Sequence, residues 1–133
     1  MTLTRVHHVG IAVADLDESV ELYRSALGAE LVHRARSETD GIEAAFLRTG
    51  DGEVELMSAT SPDSPVGKFL AKRGPGLHHV AFGVTDIAKA LSDARAAGLE
   101  LIDAEPRQGM HGSLIVFVHP KSMGGVLTEL VQT

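Results

Sequence analysis

The chain has 133 residues, of which 44% are hydrophobic and 23% are charged, so it is long enough to fold and to bury a core. Its formal net charge of −6 is the wrong sign for a protein that binds nucleic acid by neutralising phosphates. The absence of cysteine excludes disulfides, thiolate metal sites and cysteine nucleophiles. There is no apolar run of membrane-spanning length and no signal peptide after Met1, so we expect a cytoplasmic protein without a membrane partner.

An internal repeat divides the sequence into two similar halves. Residues 6–16 and 77–87 share the pattern apolar-His-His-Val-small-apolar-small-Val-x-Asp-apolar. The likeness continues through a helix-like stretch to the ends of the halves, where Glu55 corresponds to Glu129. We interpret the chain as a duplicated module.

The elements of the first half follow from alternation and capping signals. An alternating strand is predicted near 5–14, and Asp15 is typical of the N-cap of a helix that ends at Gly28. Three further strands are predicted near residues 30–36, 42–49 and 52–58. The first module is therefore predicted to have the order βαβββ.

The second half repeats this order after a linker. Residues 61–75 are predicted to form that linker, with a short helix capped by Ser64 and with Pro65 at its first position. A strand near 76–85 and a helix capped by Asp86 come next. Three last strands are predicted near residues 100–104, 113–119 and 125–132. The chain is thus predicted to be a single α+β domain over 1–133, with module one at 1–60, the linker at 61–75 and module two at 76–133.

Strand phase separates the two histidines of each His-His pair. Because side chains alternate between the faces of a strand, His8 shares one face with small residues and His7 shares the other face with bulky ones. The bulky face is predicted to pack under the helix, and the face with His8 to leave room for a ligand. His7 and His78 are therefore interpreted as structural, and His111 as a pocket candidate without a repeat partner.

Four polar residues occupy equivalent places on the open faces of the two half-sheets. A single strand histidine is more often hydrogen-bonded than metal-bound, but repetition in phase favours ligands here. Two imidazoles and two carboxylates suit a divalent first-row ion with open coordination positions. The predicted metal ligands are His8, Glu55, His79 and Glu129.

The paired modules and their His/Glu set resemble the vicinal oxygen chelate superfamily, and within it the methylmalonyl-CoA epimerases. The similarity covers almost the whole chain. It rests on residues 7–13, 66–72, 76–82, 119–122 and 125–132. The resemblance implies the vicinal oxygen chelate fold, in which the curved sheets of two tandem βαβββ modules enclose a metal site. It also implies the same four ligands, with glutamine in place of Glu55 in some epimerases.

The resemblance further implies a reaction and its groups. The expected activity is metal-dependent interconversion of (2R)- and (2S)-methylmalonyl-CoA, an isomerase reaction in which the C2 proton is removed and returned through a metal-stabilised enolate. Glu43 and Glu129 are the predicted catalytic pair, and Lys121 and Ser122 the predicted substrate contacts. One divalent ion per site is expected, Co²⁺ by family and Zn²⁺, Ni²⁺, Mn²⁺ or Fe²⁺ by chemistry. A homodimer is usual in the family and is expected here.

Other activities on the same fold remain open from sequence. A glyoxalase I-type lactoylglutathione lyase uses a metal site of the same kind, but its substrate is a glutathione hemithioacetal. A non-catalytic drug-binding protein needs no symmetric His/Glu set, which disfavours that alternative. The segments 119–122 and 125–130 favour the epimerase over the glyoxalase.

Overall fold

The structure, a computed structural model, describes residues 1–133 and has an α+β fold. Its elements in chain order are β1 (Leu3–Ala12), α1 (Leu16–Leu27), β2 (Glu30–Ser37), β3 (Ile42–Thr49), β4 (Gly52–Ala59), α2 (Pro65–Arg73), β5 (Gly76–Val84), α3 (Ile87–Ala96), β6 (Arg107–Gln108), β7 (Leu114–Val118) and β8 (Thr128–Gln132). The βαβββ order occurs twice with α2 between, as predicted. No helix has the length and apolar character needed to cross a bilayer.

The two equivalent helices begin at the predicted aspartates. The carboxylate of Asp15 accepts a hydrogen bond from the backbone N–H of Glu18 at 3.0 Å, and Asp86 accepts one from Lys89 at 3.0 Å. Each bond satisfies a donor that the first helical turn leaves without an intrahelical acceptor. At the other end of α1, Gly28 has φ 70°, a left-handed conformation that glycine adopts without steric cost. The repeated caps explain why the two helices occupy the same place in each module.

Helix α2 also forms where the linker predicted it. The hydroxyl of Ser64 accepts from the N–H of Gly67 at 3.0 Å, and Pro65 occupies the first turn, where its missing N–H costs nothing. The helix ends before Gly74, whose φ is 73°.

Two predicted strands differ from the structure. Residues 100–104 form only an isolated bridge between Leu101 and Val118, and the strand that pairs with β7 is the 2-residue β6. The carboxylate of Asp103 accepts from the backbone N–H of Phe117 at 2.7 Å, so a side chain replaces a ladder bond there. β8 begins at Thr128 rather than near 125 because Gly125 has φ 95°, outside the extended region.

The chain forms two compact units, with one boundary directly after the pair His7-His8 and the other between His78 and His79. The split unit comprises Met1–His8 and His79–Thr133, and the continuous unit comprises Val9–His78. The predicted description of residues 1–133 as one domain stays a prediction.

In the split unit, β5, β8, β7 and β6 are neighbours in that order. β5 and β8 are parallel, with Ala81 opposite Glu129, while β7 runs antiparallel to β8. Helix α3 packs on this sheet. Its core consists of Val84, Ile87, Ala90, Leu91, Val116, Val118 and Leu130, with Phe82 packed against it. Phe82 lies on the bulky face of its strand, which confirms the prediction that this face packs under the helix.

In the continuous unit, β2, β3 and β4 form an antiparallel meander. Helix α1 covers it, and the core consists of Val13, Leu16, Val20, Ala29, Ala45, Leu47 and Leu56. Ile11 from the bulky face of β1 packs against this core, the same arrangement as in the other repeat.

Candidate metal centre

Three of the four predicted ligands meet inside the split unit. His8 comes from β1, His79 from β5 and Glu129 from β8, and one ligand atom of each lies within 4.8 Å of the others. The two Nε2 atoms of His8 and His79 are 3.1 Å apart. The carboxylate of Glu129 places Oε2 3.5 Å from His8 Nε2 and Oε1 3.7 Å from His79 Nε2. We call these three residues the His-His-Glu trio.

Strand register explains why the trio converges. Residues paired directly across neighbouring strands point to the same face, and Glu129 is paired with Ala81. His79 lies two residues before Ala81 and therefore shares that face. Ala81 is fully buried and ends at its Cβ, so the carboxylate of Glu129 and the ring of His79 meet without a larger side chain between them.

All three members of the trio are buried. His8, His79 and Glu129 expose 1%, 3% and 4% of their surface. Removing a carboxylate from water is costly unless it is paired, hydrogen-bonded or bound to a cation. The prediction that this face leaves room for a ligand stays a prediction, and the three polar side chains on it are buried.

The trio fits a divalent metal ion. Two imidazole nitrogens that each lie about 2.0–2.1 Å from one ion, at octahedral or tetrahedral angles, are about 2.8–3.4 Å from each other. The 3.1 Å separation of the two Nε2 atoms falls in that range. Two imidazoles and one carboxylate are also the ligand number and type of catalytic metal sites that keep positions open for substrate.

The fourth predicted ligand lies in the continuous unit. Glu55 is on β4, opposite Phe46 of β3, and exposes only 4% of its surface. Its burial is unusual for a glutamate and consistent with a specific role. Its assignment as a ligand stays a prediction.

Glu43, the predicted base, is an ion-paired residue of β3. Arg34 Nε donates to Glu43 Oε1 at 2.9 Å, and Arg34 also contacts Asp17 at 2.6 Å. Hydrogen bonds to Asp17 and then to Glu43 raise the pKa of Arg34, so this cation stays charged at any working pH. The side chain of Glu43 is about a quarter exposed. The structure thus gives Glu43 a defined orientation, and its catalytic role stays a prediction.

The predicted substrate contacts lie in a 3₁₀ turn just before β8. Lys121 is exposed, and its backbone N–H donates to the Nδ1 of His119 at 3.0 Å. The hydroxyl of Ser122 accepts from the backbone N–H of Glu100 at 2.9 Å. The turn is therefore held on both sides, and a substrate role for either residue stays a prediction.

Two further histidines lie against the trio: His7, which was predicted to be structural, and His111, which was predicted as a pocket candidate. His7 Nδ1 is 2.8 Å from His8 Nδ1. The ring of His111 lies 5.2 Å from that of His7 and 5.6 Å from that of His8. Alternation predicted opposite faces for His7 and His8, but Nδ1 is only two bonds from Cβ, so neighbouring rings can turn toward each other. The sequence signal that could have predicted this contact is the adjacency of His7 and His8 in the chain.

The ring of His79 has an aromatic neighbour. Phe117 on β7 packs edge to face against it, with 5.5 Å between ring centroids. Arg107 lies over the ring of Phe117 at 5.7 Å and donates to Asp103 at 3.1 Å. Packing of this kind limits the orientations available to a ligand ring.

Comparison with known proteins places this arrangement in context. The family model of the Glyoxalase/Bleomycin resistance protein/Dioxygenase superfamily matches residues 7–117. The ethylmalonyl-CoA/methylmalonyl-CoA epimerase of Cereibacter sphaeroides is 35% identical over 130 residues, which are 96% of this chain and 97% of the relative.

Solved structures show the same likeness in three dimensions. A methylmalonyl-CoA epimerase in complex with methylmalonyl-CoA and NH₄⁺ is 44% identical with a TM-score of 0.95, covering 99% of this chain and 96% of that one. A variant of the Streptomyces coelicolor methylmalonyl-CoA epimerase in complex with 2-nitronate-propionyl-CoA has the same identity and TM-score and covers 99% of both chains. The similarity extends over all the strands that carry the His-His-Glu trio.

Proposed function

Because the chain belongs to the methylmalonyl-CoA epimerase family of the glyoxalase superfamily, we propose that it interconverts (2R)- and (2S)-methylmalonyl-CoA. The observation that carries the proposal is the buried convergence of His8, His79 and Glu129 in a chain so similar to epimerases over its full length. A small acyl-CoA is accordingly the proposed substrate.

The chemistry of the substrate explains why such a site is useful. The C2 hydrogen lies between a thioester carbonyl and a carboxylate, and its removal places negative charge on the thioester oxygen. A divalent ion held by the trio would supply the Lewis acid that stabilises this charge. Co²⁺ is the ion we propose, with Zn²⁺, Ni²⁺, Mn²⁺ and Fe²⁺ as the alternatives to be compared. Glu55 is the proposed fourth ligand.

Inversion at C2 requires one group to take the proton and another to return it to the opposite side. We assign these roles to Glu43 and Glu129. Arg34 Nε donates to Oε1 of Glu43, and Oε2 has a longer contact of 3.7 Å with Arg36. Glu129 can serve only through an oxygen that does not bind the ion, because coordination makes a carboxylate a poorer base.

The remaining assignments concern binding and assembly. Ser122 uses an oxygen lone pair to accept from Glu100, which leaves its hydroxyl proton available for donation to substrate. Lys121, next to it, offers an exposed cation of the kind that an acyl-CoA requires. The expected homodimer and cytoplasmic location stay predictions.

Isotope exchange with a single substrate enantiomer tests the activity. The metal-loaded protein is incubated in deuterated water with one enantiomer of methylmalonyl-CoA, and deuterium at C2 and the stereochemistry are followed. We expect deuterium incorporation together with formation of the other enantiomer. The protein with His33→Phe, a surface change that keeps an aromatic ring stacked on Phe46, serves as a positive control. No exchange with any of the five ions would refute the proposal.

A further inference from the structure

We propose that His7 is a positioning residue for the metal ligand His8: it accepts the proton of His8 Nδ1 in a hydrogen bond and so directs His8 Nε2 into the His-His-Glu trio. The inference rests on the proposed metal site. It concerns a residue whose strand phase predicted only a structural role.

The two nitrogens of His8 face different partners. Nε2 lies 3.1 Å from His79 Nε2 and 3.5 Å from a Glu129 oxygen, on the side where the ligand atoms converge. Nδ1 lies 2.8 Å from the Nδ1 of His7. The 2.8 Å distance between the two Nδ1 atoms is that of a hydrogen bond between two nitrogens.

The proton inventory of imidazole then fixes the direction of this bond. A neutral imidazole has one N–H and one lone pair, and a ring that binds a metal through Nε2 must carry its proton on Nδ1. His8 therefore donates from Nδ1. His7 must accept on its own Nδ1 and keep its proton on Nε2, so one contact sets the tautomers of both rings.

Two neighbouring rings restrict the orientation in which His7 can accept this hydrogen bond. The ring of His8 meets it edge-on at 5.1 Å, and the ring of His111 lies beside it at 5.2 Å. His111 is itself held by the loop, because its Nδ1 accepts from the backbone N–H of Ser113 at 3.4 Å. A hydrogen-bonded neighbour that orients a ligand ring characteristically contributes 10–100-fold to metal affinity.

Two substitutions at His7 separate the hydrogen bond from the shape of the side chain. His7→Phe keeps a ring beside His111 but has no acceptor, and we expect it to weaken Co²⁺ binding about 10–100-fold in a spectroscopic titration. His7→Asn places an amide oxygen near the position of Nδ1, and we expect it to restore affinity to within a few-fold of the unsubstituted protein. His33→Phe is the matched control and should not change affinity. Thermal unfolding without metal verifies that each variant is folded.

A direct measurement on the unsubstituted protein does not depend on how the variants fold. With ¹⁵N-labelled histidine and Zn²⁺ bound, we expect His8 Nδ1 to carry the proton and to show a scalar coupling to His7 Nδ1 across the hydrogen bond. Either the absence of that coupling or equal Co²⁺ affinity for His7→Phe and the unsubstituted protein would overturn the role of His7 while leaving the metal site intact. Failure of the unsubstituted protein to bind any divalent ion would refute the metal site and this inference together.

Discussion

Single residues of the site carry tasks that differ in kind. The carboxylate of Glu129 is 3.5 Å from His8 Nε2 and 3.7 Å from His79 Nε2, so the first task we propose for it is to complete a ligand set. Glu43 contacts Arg34 and Arg36, neither of which is a metal ligand. If both glutamates move protons, removal of one charge should affect metal binding only at Glu129.

Charge-removing substitutions should therefore separate the two glutamates. Glu43→Gln is expected to keep Co²⁺ affinity and lose about 10²–10⁴-fold of C2 exchange, because a general base is lost. Glu129→Gln is expected to lose metal affinity as well. Co²⁺ titration and exchange rates are measured on the same samples.

The sheet that carries Glu43 also offers a matched control. Glu30 pairs with Arg48 at 3.1 Å across β2 and β3, so Glu30→Gln removes a carboxylate–arginine contact of the same kind. We expect it to be fully active. Near-normal exchange by Glu43→Gln would exclude Glu43 from proton transfer.

The composition of the trio was predictable because each member sits at a repeated sequence position with a defined strand phase. His8, His79 and Glu129 could be selected because the internal repeat places them in the same strand phase in both halves. His7 could not, since alternation describes where Cβ points and not where a ring turns at its next bond. The ion pair of Glu43 with Arg34 was equally hidden, because it depends on the register between β2 and β3.

At the scale of elements, helix α2 packs closely at Gly67 against residues 61–62, the segment that leads into the helix. A Cβ at this position would lie 2.6 Å from the carbonyl oxygens of Pro62 and of Ser61. Both are backbone atoms, so they cannot rotate away as a side chain can. Gly67 therefore has two roles at the start of α2. Its N–H donates to the capping hydroxyl of Ser64, and its lack of a side chain leaves room for the backbone of Ser61 and Pro62.

Gly67→Ala should accordingly destabilise the fold, even though alanine favours helices in general. We expect a loss of about 1–3 kcal/mol in the free energy of unfolding, the usual cost of overpacking. Gly76→Ala is the control, because a Cβ there has nothing within 4 Å, and it should change stability by less than about 0.5 kcal/mol. Denaturant unfolding gives the free energy of unfolding of both variants. Equal values would contradict the prediction, because they would show that residues 61–62 move to accommodate the added Cβ.

Local signals predicted most elements well and failed where distant groups intervene. The caps at Asp15, Ser64 and Asp86 are encoded within four residues, and all three formed. The strand predicted at 100–104 did not form, because Asp103 binds the backbone of Phe117, a partner that no local pattern identifies. The apolar residues Leu101 and Ile102 are compatible with a strand, but they do not specify which strand will pair with this segment.

At the scale of the whole molecule, metal binding and folding should be linked. A ligand that binds only the folded chain raises the free energy of unfolding by about 2.7 kcal/mol when its free concentration is one hundred times Kd. The buried trio exists only in the folded state, because its members come from three different strands. Metal should therefore stabilise the whole split unit.

Thermal unfolding with and without Co²⁺ tests this linkage. The unfolding temperature is expected to rise with Co²⁺ concentration and to return to its initial value when a chelator is added. His8→Phe should abolish the rise, whereas His33→Phe should retain it. An undiminished rise in His8→Phe would place the stabilising ion elsewhere in the molecule.

The split unit also has a consequence for how the chain is made. His8 is synthesised 71 residues before His79, the start of the segment with which it is grouped. The third member of the trio, Glu129, lies on β8, which is synthesised after the strands that carry the two histidines. A nascent chain can complete the continuous unit before the other two members of the trio have been synthesised, and closing the long loop between His8 and His79 is entropically costly. If the trio binds a metal ion, its full ligand set becomes available only after β8 has been synthesised and has paired with β5.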